Sequence, residues 1–467
     1  MARQWAVLLV ALALLVGTQI PAFGQTLVLE GGTLIDGTGR PPVNDAVIVI
    51  AGSRILGIGM KGKVAYPPGA RVVSTEGKTI LPGLIDSHIH LRDHMPPMFL
   101  HYGVTTVADT NNYTDWTVAQ REAVKSGKIK GPRLFVSGTA IDGAAGNPNP
   151  TSPRQPFGAY SHTSSDGSTS PSVALESVAE TRTYVRSLAG KHVDMVKTDL
   201  DLTFDQLRAA IDEANKLHLP LVGHTQNIRQ AAEAGHKYME HTDTLGRAVL
   251  EQMGGPAKVK EGGANPERLM DTSLFPALVQ FMVKQGVFVN PTMFARWRTS
   301  TPRGEEWAKA ATDLIKDPNL AFVPQTIRDS WPRLARRDQD AEGYKKTTEF
   351  LRQYAQAGGK IIAGTDAGAM PGLSLHYEMQ MLVDAGIPTM NVLQAATLWG
   401  AESFGQGREL GSVEVGKLAD ITVIEGDPLK DIAMTKKIRM VIKDGKVIDT
   451  SYDPHWANSI PRPTSGF

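Results

Sequence analysis

Eight short apolar segments, each typical of a buried β-strand, recur between residues 84 and 366, and helical patterns separate most of them. The segments are LIDSHIH, GVTTVADT, RLFVSG, VDMVKT, PLVGH, KYMEH, GVFVNP and KIIAGTD. Eight strands, each followed by a crossover, predict a closed parallel (β/α)8 barrel, a TIM barrel, with its active site at the C-terminal ends of the strands. The alternative is an open doubly wound sheet, but no glycine-rich phosphate loop follows any segment. The predicted helices cover residues 116–126, 173–188, 204–217, 228–234, 273–284 and 342–357.

Strand patterns also occupy both ends of the chain. Residues 26–73 contain short runs rich in Val, Ile and Leu, and similar runs return at residues 419–426 and 438–449. Asp444-Gly445 within the last run indicates the two-residue turn of a hairpin. We therefore expect a small β-sandwich domain built from residues 25–80 and 404–452. It flanks the barrel at 81–403, and a tail follows at 453–467.

The N-terminus has the pattern of a secretory signal peptide over residues 1–24. Arg3 precedes the apolar run WAVLLVALALLVG, and Ala22 and Gly24 form a small-residue cleavage site. The apolar run is shorter than the ~20 residues that a spanning helix needs, although an uncleaved anchor is the alternative. We expect a secreted or periplasmic protein with no stable membrane insertion after cleavage.

Composition excludes several classes of function and site. Lys+Arg number 49 against 48 Asp+Glu, which leaves no basic field for nucleic acid. The chain has no cysteine, so disulfides, thiolate metal sites and a cysteine nucleophile are excluded. Any metal must therefore be held by His, Asp, Glu or a modified Lys. Composition leaves open whether the protein forms a homo-oligomer.

Polar side chains stand at or beside the last position of several predicted strands. His88 and His90 are separated by one residue, so both face the same side of a strand and form half of a metal site. Lys197, His224, His241 and Asp366 end later strands, and each by itself has a structural explanation, such as a helix cap or a solvated rim residue. Together they predict a metal centre at the barrel mouth, made of His88, His90, Lys197, His224, His241 and Asp366.

In these motifs the chain resembles the amidohydrolase superfamily of metal-dependent hydrolases, near its imidazolonepropionase-like and Xaa-Pro dipeptidase branch. The matching stretches are GLIDSHIHL, VDMVKT, LVGHTQN, YMEHTD, AGTDAG, AATLWGAESFG and GKLADITVIEGDPL. The resemblance implies an α/β fold, a distorted (β/α)8 barrel with a β-sandwich built from both chain ends.

The resemblance also implies two divalent metal ions, of which zinc suits the nitrogen and oxygen ligands best. His88, His90 and Asp366 would hold the first ion, and His224 and His241 the second. Lys197 would bridge both after carboxylation to a carbamate, because a bare ammonium would be repelled by the metals. Members of the superfamily that use one metal lack this lysine.

The implied reaction is hydrolysis of the amide C–N bond of a peptide or N-acyl amino acid by metal-bound hydroxide. Two metals lower the pKa of a shared water, and Asp366 would shuttle its proton to the leaving nitrogen. The alternatives are a mononuclear hydrolase of cyclic amides or amidines, a lactone or ester hydrolase, and a metal-storing or ligand-binding protein without turnover. The expected partner is a small molecule or short peptide.

Two segments are candidates for substrate contacts. Residues 141–172, rich in Gly, Pro and Ser, are either a lid or a disordered insert, and Phe157, Tyr160 and His162 could touch substrate. Residues 290–299 bring Arg296, Trp297 and Arg298 near the rim, where an arginine could pair with a substrate carboxylate or begin a solvated helix. Thr225-Gln226-Asn227 follows His224, where dipeptidase relatives often carry a tyrosine; this departure weakens the case for a peptide substrate.

Overall fold

A computed structural model describes residues 26–146, 159–163, 169–334, 340–366 and 368–463. The predicted signal peptide lies outside these residues, so its cleavage and the export of the protein stay predictions. None of the helices in the described ranges is long and apolar enough to cross a membrane.

The elements alternate between strand and helix through the middle of the chain. The strands are β1 (Leu27–Leu34), β2 (Val43–Ala51), β3 (Arg54–Met60), β4 (Arg71–Ser74), β5 (Lys78–Pro82), β6 (Leu84–Ile89), β7 (Val104–Asp109), β8 (Arg133–Val136), β9 (Ala140–Gly143), β10 (Ala159–Thr163), β11 (Thr169–Leu175), β12 (Val196–Thr198), β13 (Leu221–Gly223), β14 (Tyr238–Glu240), β15 (Phe288–Asn290), β16 (Lys360–Ile361), β17 (Ile421–Glu425), β18 (Ile438–Lys443) and β19 (Lys446–Ile448). The α-helices are α1 (Pro96–His101), α2 (Thr114–Lys125), α3 (Val178–Gly190), α4 (Phe204–Lys216), α5 (Ile228–Glu233), α6 (Asp243–Gly262), α7 (Phe275–Gln285), α8 (Met293–Trp297), α9 (Gly304–Leu314), α10 (Gln325–Arg328), α11 (Trp331–Leu334), α12 (Ala341–Gln356), α13 (Leu373–Asp384), α14 (Thr389–Ala395) and α15 (Leu398–Ser403). Short 3-10 turns cover Ala144–Gly146, Pro266–Leu269, Thr272–Leu274, Pro318–Leu320 and Ile432–Lys436.

Both ends of the chain contribute to one eight-stranded sheet, as the strand patterns predict. Its order is β19-β18-β17-β5-β1-β2-β3, with β4 also paired to β1. The central contact between the ends is the antiparallel pairing of β5 with β17. Asp444 and Gly445 turn the β18–β19 hairpin with φ of 51° and 71°, the left-handed values that such a turn requires. The division of this sheet into two sandwich layers, and the domain boundaries, stay predictions.

Each of the eight predicted barrel segments contains an observed strand or borders one. The strands β6, β7 and β8 form one parallel sheet, β9, β12 and β13 belong to a second, and β14, β15 and β16 form a third. Backbone bonds join neighbouring sheets: Asp194 N donates to Val136 O at 2.8 Å, and Ser87 N donates to Ala363 O at 2.9 Å. This α/β arrangement is consistent with the predicted barrel, and it brings the C-terminal ends of the strands to one face.

The segment predicted as a lid or disordered insert contains a β-hairpin among its described residues, and its role as a lid stays a prediction. The strands β10 and β11 pair antiparallel, and β11 also lies parallel to β9. The helix predicted from residue 173 was therefore wrong at its start, because residues 169–175 are β11. The helix α3 begins at Val178 after Ser177, whose hydroxyl caps it by accepting from Glu180 N at 3.1 Å.

Candidate metal centre

Four histidines and one aspartate converge where the parallel strands end. The Nε2 atoms of His88 and His90 lie 3.5 Å and 3.3 Å from Asp366 Oδ1, and His241 Nε2 lies 3.8 Å from Asp366 Oδ2. The His224 ring is 4.7 Å from the His241 ring, centroid to centroid. The structure thus brings together five of the six residues that the sequence predicts as ligands, and the sixth, Lys197, lies on the adjacent strand β12.

Two of these residues stand in a strained backbone conformation. His241 has φ of 59° and Asp366 has φ of 44°, in the left-handed region that residues with a Cβ seldom occupy. Main-chain bonds hold them there, since His241 N donates to Asn290 O and Asp366 N donates to His88 O, both at 2.9 Å. Such strain is characteristic of functional sites, where neighbouring structure fixes a side-chain direction.

Separate partners orient three of the imidazole rings through Nδ1. His224 Nδ1 lies 3.1 Å from Asp199 Oδ1, His241 Nδ1 lies 2.5 Å from Thr292 Oγ1, and His90 Nδ1 lies 3.3 Å from Asn111 O. Each contact leaves the other nitrogen, Nε2, directed at the centre. Orientation of metal-binding histidines by a second shell of oxygen atoms follows this pattern.

Glu240 is a buried acid at the middle of the centre that the sequence reasoning missed. Its carboxylate contacts Lys197 Nζ and His88 Nδ1, and its Oε2 lies 3.6 Å from His224 Nε2. Burial raises the pKa of Glu240, but His88 and Lys197 outweigh burial and hold that pKa well below its ordinary value. A signal was available in the strand KYMEH, because an acid inside an apolar strand is rarely buried without a partner.

Lys197 therefore has a counterion in this structure. The side chain is 2% exposed and its ammonium contacts Glu240 on β14. The predicted carbamate presupposes a lysine amine that faces only metal cations. With Glu240 beside it, an ammonium form is electrostatically complete, so carboxylation of Lys197 stays a prediction.

The pKa shifts of His88, His241 and Asp366 suit metal binding. Burial and Lys197 lower the pKa of His224, but Asp199 and Glu240 outweigh them and raise it. Burial lowers the pKa of His88, and burial together with His224 lowers the pKa of His241 to about 3. Burial raises the pKa of Asp366, but His88, His90 and His241 outweigh it and leave the pKa well below its ordinary value. Neutral imidazoles and an ionised carboxylate are the forms that coordinate metal at neutral pH.

The donor atoms fit a divalent ion. Two groups have ligand atoms within 4.8 Å of one another: His88, His90 and Asp366, and His88, Glu240 and His241. The first group is the predicted first-metal set, whereas the second has His88 and Glu240 where the prediction has His224 and Lys197. His88 Nε2 is buried without a hydrogen-bond partner among the described residues, so this lone pair is available to an ion.

The predicted substrate contacts have other partners in the described residues. Arg296 donates from Nε and Nη2 to the two carboxylate oxygens of Glu267 at 2.5 Å and 2.6 Å, rather than being solvated. Trp297 is buried and donates to Thr242 Oγ1 at 3.2 Å, and Arg298 Nη1 donates to Phe294 O at 3.2 Å. The roles of these residues toward substrate stay predictions.

The remaining candidates lie in or beside the hairpin. Tyr160 and His162 belong to β10, but their side chains lie outside the described part of the structure, as does Phe157 entirely.

Asn227, in the tripeptide that replaces the expected tyrosine, caps α5 by accepting from Arg229 N at 2.9 Å. It therefore has a structural role.

A model of the amidohydrolase family matches residues 79–448, most of the chain. The chain belongs to the amidohydrolase family. This membership, expected from the motifs, identifies an α/β hydrolase that acts on C–N bonds. The site described above lies within the matched residues.

Similar proteins cover nearly the whole chain at low identity. The imidazolonepropionase of Alkaliphilus oremlandii is 24% identical over 458 residues, 87% of this chain and 90% of that protein. A solved Xaa-Pro dipeptidase with methionine bound in its active site aligns with a TM-score of 0.65 and 24% identity, covering 91% of this chain and all of that one. Molinate hydrolase aligns with a TM-score of 0.66 and 20% identity, over 92% and 95% of the two chains. These structures support a shared fold.

Proposed function

We propose that this protein is a metal-dependent hydrolase that cleaves the amide C–N bond of a short peptide or an N-acyl amino acid. The observation that carries the proposal is the convergence of His88, His90, His224, His241 and Asp366 at one end of parallel strands. A closed (β/α)8 barrel and two divalent ions, most favourably zinc, belong to the same proposal.

The residues divide the chemistry between them. Divalent ions at this site would supply an attacking water of lowered pKa and polarise the substrate carbonyl. Asp366, ionised at neutral pH, would accept a proton from the attacking water on its carboxylate and return it to the leaving nitrogen. Thr292, Asp199 and Asn111 keep the histidine rings in place through Nδ1, so that Nε2 stays directed inward.

The binuclear form depends on carboxylation of Lys197. The neutral amine would react with carbon dioxide and release one proton, giving an anionic carbamate whose oxygens would be metal ligands. Glu240 and a carbamate are two anions in contact at full burial, so they need cations between or beside them. Carboxylation and metal binding would therefore occur together.

A second candidate is a mononuclear hydrolase of a cyclic amide or a lactone. The Lys197–Glu240 contact favours it, because a paired ammonium leaves His88, His90 and Asp366 as a complete set for one ion. The similarity to an imidazolonepropionase supports the same class. Assays with dipeptides, N-acyl amino acids, cyclic amides and lactones separate the two.

Metal content tests the main proposal. We expect close to two divalent ions per chain by mass spectrometry of the purified protein, and His241→Asn should lose metal and activity. The matched control is His218→Asn, since exposed His218 has the same left-handed backbone, with φ of 57° against 59°. Asparagine tolerates this conformation, so a difference between the variants reports the lost imidazole. One ion with full activity would support the mononuclear candidate.

Replacement of Lys197 tests the bridge. Lys197→Arg should lose metal and rate together, because a guanidinium stays cationic and carries no carbamate. Lys197→Ala should behave likewise, with part of the activity restored by added acetate or propionate. Wild-type metal content and rate in Lys197→Arg would exclude the carbamate.

A further inference from the structure

Residues 450–463, which follow β19, run over the outside of the first strand–helix units; we refer to them as the clamp segment. They contain no helix or strand, and Trp456 N donates to Asp453 O at 3.0 Å in a turn. Every second side chain is partly buried, in the order Tyr452, Pro454, Trp456, Asn458, Ile460 and Arg462. This alternation places one side of the segment against the protein surface.

Aromatic contacts anchor the first half of the clamp segment. The Tyr452 ring stacks on His101 at the end of α1, with centroids 4.2 Å apart, and Trp456 packs against Phe322 at 5.7 Å. His101 Nδ1 also lies 3.0 Å from Thr450 O. These contacts fix the position of the first half of the clamp segment.

The middle of the clamp segment is bound to α2. Trp116 Nε1 and Gln120 Nε2 both donate to Ile460 O, at 3.0 Å and 2.6 Å. Asn458 Nδ2 donates to Gln120 Oε1 at 3.0 Å and to Asp93 O at 3.2 Å. The contact with Asp93 O connects the clamp segment to the loop that follows β6.

Arg462 joins the loops that follow β6 and β7. Its backbone N–H donates to both Asp93 carboxylate oxygens at 2.9 Å and 3.0 Å, and its Nε donates to Asn112 Oδ1 at 2.9 Å. The guanidinium also lies over the Tyr113 ring, 4.8 Å from the centroid. Planar stacking and a directed N–H are properties of arginine that lysine lacks.

The two loops that Arg462 joins carry His90 and its partner. Asn112 Nδ2 donates to Leu91 O at 3.0 Å, next to His90 in the chain. The residue before Asn112 is Asn111, whose carbonyl oxygen lies 3.3 Å from His90 Nδ1. A shift of either loop would therefore change both the backbone position and the ring orientation of His90.

We propose that the clamp segment positions His90 for metal binding, with the Arg462 side chain as the positioning group that acts through Asn112 while the Arg462 backbone N–H holds Asp93. The proposal rests on the proposed metal-dependent function. It extends the site to a segment about 370 positions away in sequence from His90, since Arg462 and Asp93 are 369 residues apart. Its contacts with Asp93, Asn112 and Tyr113 act on the geometry of the site.

Metal release tests the proposal without an activity assay. In the metal-loaded protein, transfer of zinc to a chromophoric chelator should be about tenfold faster in Arg462→Ala than in wild type, the lower range for outer-shell changes at metal sites. Arg462→Lys should fall between them. In the metal-free protein, amide hydrogen exchange at residues 111–113 should be faster in Arg462→Ala, because only the side-chain contacts with Asn112 and Tyr113 are removed.

The matched control is Arg439→Ala, which removes an arginine paired with Glu425 on the terminal sheet. It should leave metal release and exchange at residues 111–113 as in wild type. If Arg462→Ala matches Arg439→Ala in both measurements, the clamp proposal is overturned while the proposed function stands. If wild type takes up no metal, the proposed function fails, and exchange in the metal-free protein still decides the clamp.

Discussion

Lys197 and Glu240 are a pair of opposite charges that are both fully buried, and their electrostatics depend on each other. The side chains are 2% and 0% exposed, on β12 and β14. A buried ion pair contributes little net stability, but removal of one partner leaves an uncompensated charge in a medium of low dielectric constant. The pair is therefore sensitive to any change of a single charge.

We predict that Glu240→Gln lowers the free energy of unfolding of the metal-free protein by about 3 kcal/mol, because it leaves the Lys197 ammonium unpaired. Urea denaturation measures this loss. The double variant Glu240→Gln/Lys197→Met should recover most of it. As a control, Glu425→Gln removes an exposed carboxylate paired with Arg439 and should stay close to wild type. Unchanged stability in Glu240→Gln would mean that Lys197 is not an ammonium.

At the scale of elements, one carboxyl group joins two helices on the C-terminal side of the strands. Glu378 lies in α13, fully buried, and accepts from Met293 N at 3.0 Å and Phe294 N at 2.6 Å at the start of α8. Burial raises the pKa of Glu378 to about 8, despite these two donors. The helix α8 is thereby fixed directly after Thr292, which orients His241.

This raised pKa predicts how stability depends on pH. The unfolded chain loses the Glu378 proton near the ordinary value of 4.5, whereas the folded protein keeps it up to about 8. The folded state then binds more protons across this window, so its contribution to stability falls as pH rises from 4.5 to 8. Glu378→Gln cannot ionise and should lose less stability than wild type between pH 5 and pH 8 in urea titrations. The exposed-residue variant Glu342→Gln should follow the wild-type dependence; parallel curves for all three proteins would contradict the assignment.

At the scale of the whole molecule, the terminal sheet is tied to the strands of the site by a charged contact. Arg133, at the start of β8, donates from Nη2 to Asp420 Oδ2 at 3.1 Å and also contacts Asp444 in the β18–β19 turn. The Asp420 side chain is 5% exposed and its Oδ1 accepts from Asp444 N at 2.7 Å. One guanidinium thus contacts two acids from the far end of the chain.

Replacement of this arginine should weaken the whole fold. Arg133→Met leaves buried Asp420 without a cation, and we expect a loss of about 3 kcal/mol in the free energy of unfolding. Because β5 and β17 pair the two chain ends directly, we expect a single transition by both circular dichroism and tryptophan fluorescence. The control Arg54→Met removes a pair with Glu409 that is 46% exposed on both sides, and its loss should be much smaller. Equal losses of unfolding free energy in the two variants would show that the burial of Asp420 does not increase the loss.

The sequence by itself was sufficient for the repeating elements and for most of the site. The strands β6, β13, β14 and β16 could be placed from apolar runs, and the polar residue ending each run pointed to the common face. This succeeded because the two-residue period of a strand is a local property of the backbone, and parallel strands end at the same edge. The joining of both chain ends followed for the same reason, from strand patterns and an Asp-Gly turn.

Only the tertiary structure decided which charges and loops meet. Glu240 reaches Lys197 across 43 residues, Arg296 is held by Glu267 across 29, and Arg462 reaches Asp93 across 369. The β10–β11 hairpin was likewise decided by pairing, with β11 beside β9, since its strands AYSHT and TSPSVAL lack the apolar run by which the other strands were predicted. Local preference is set by neighbouring residues, whereas the partner of a buried charge is set by packing between distant segments.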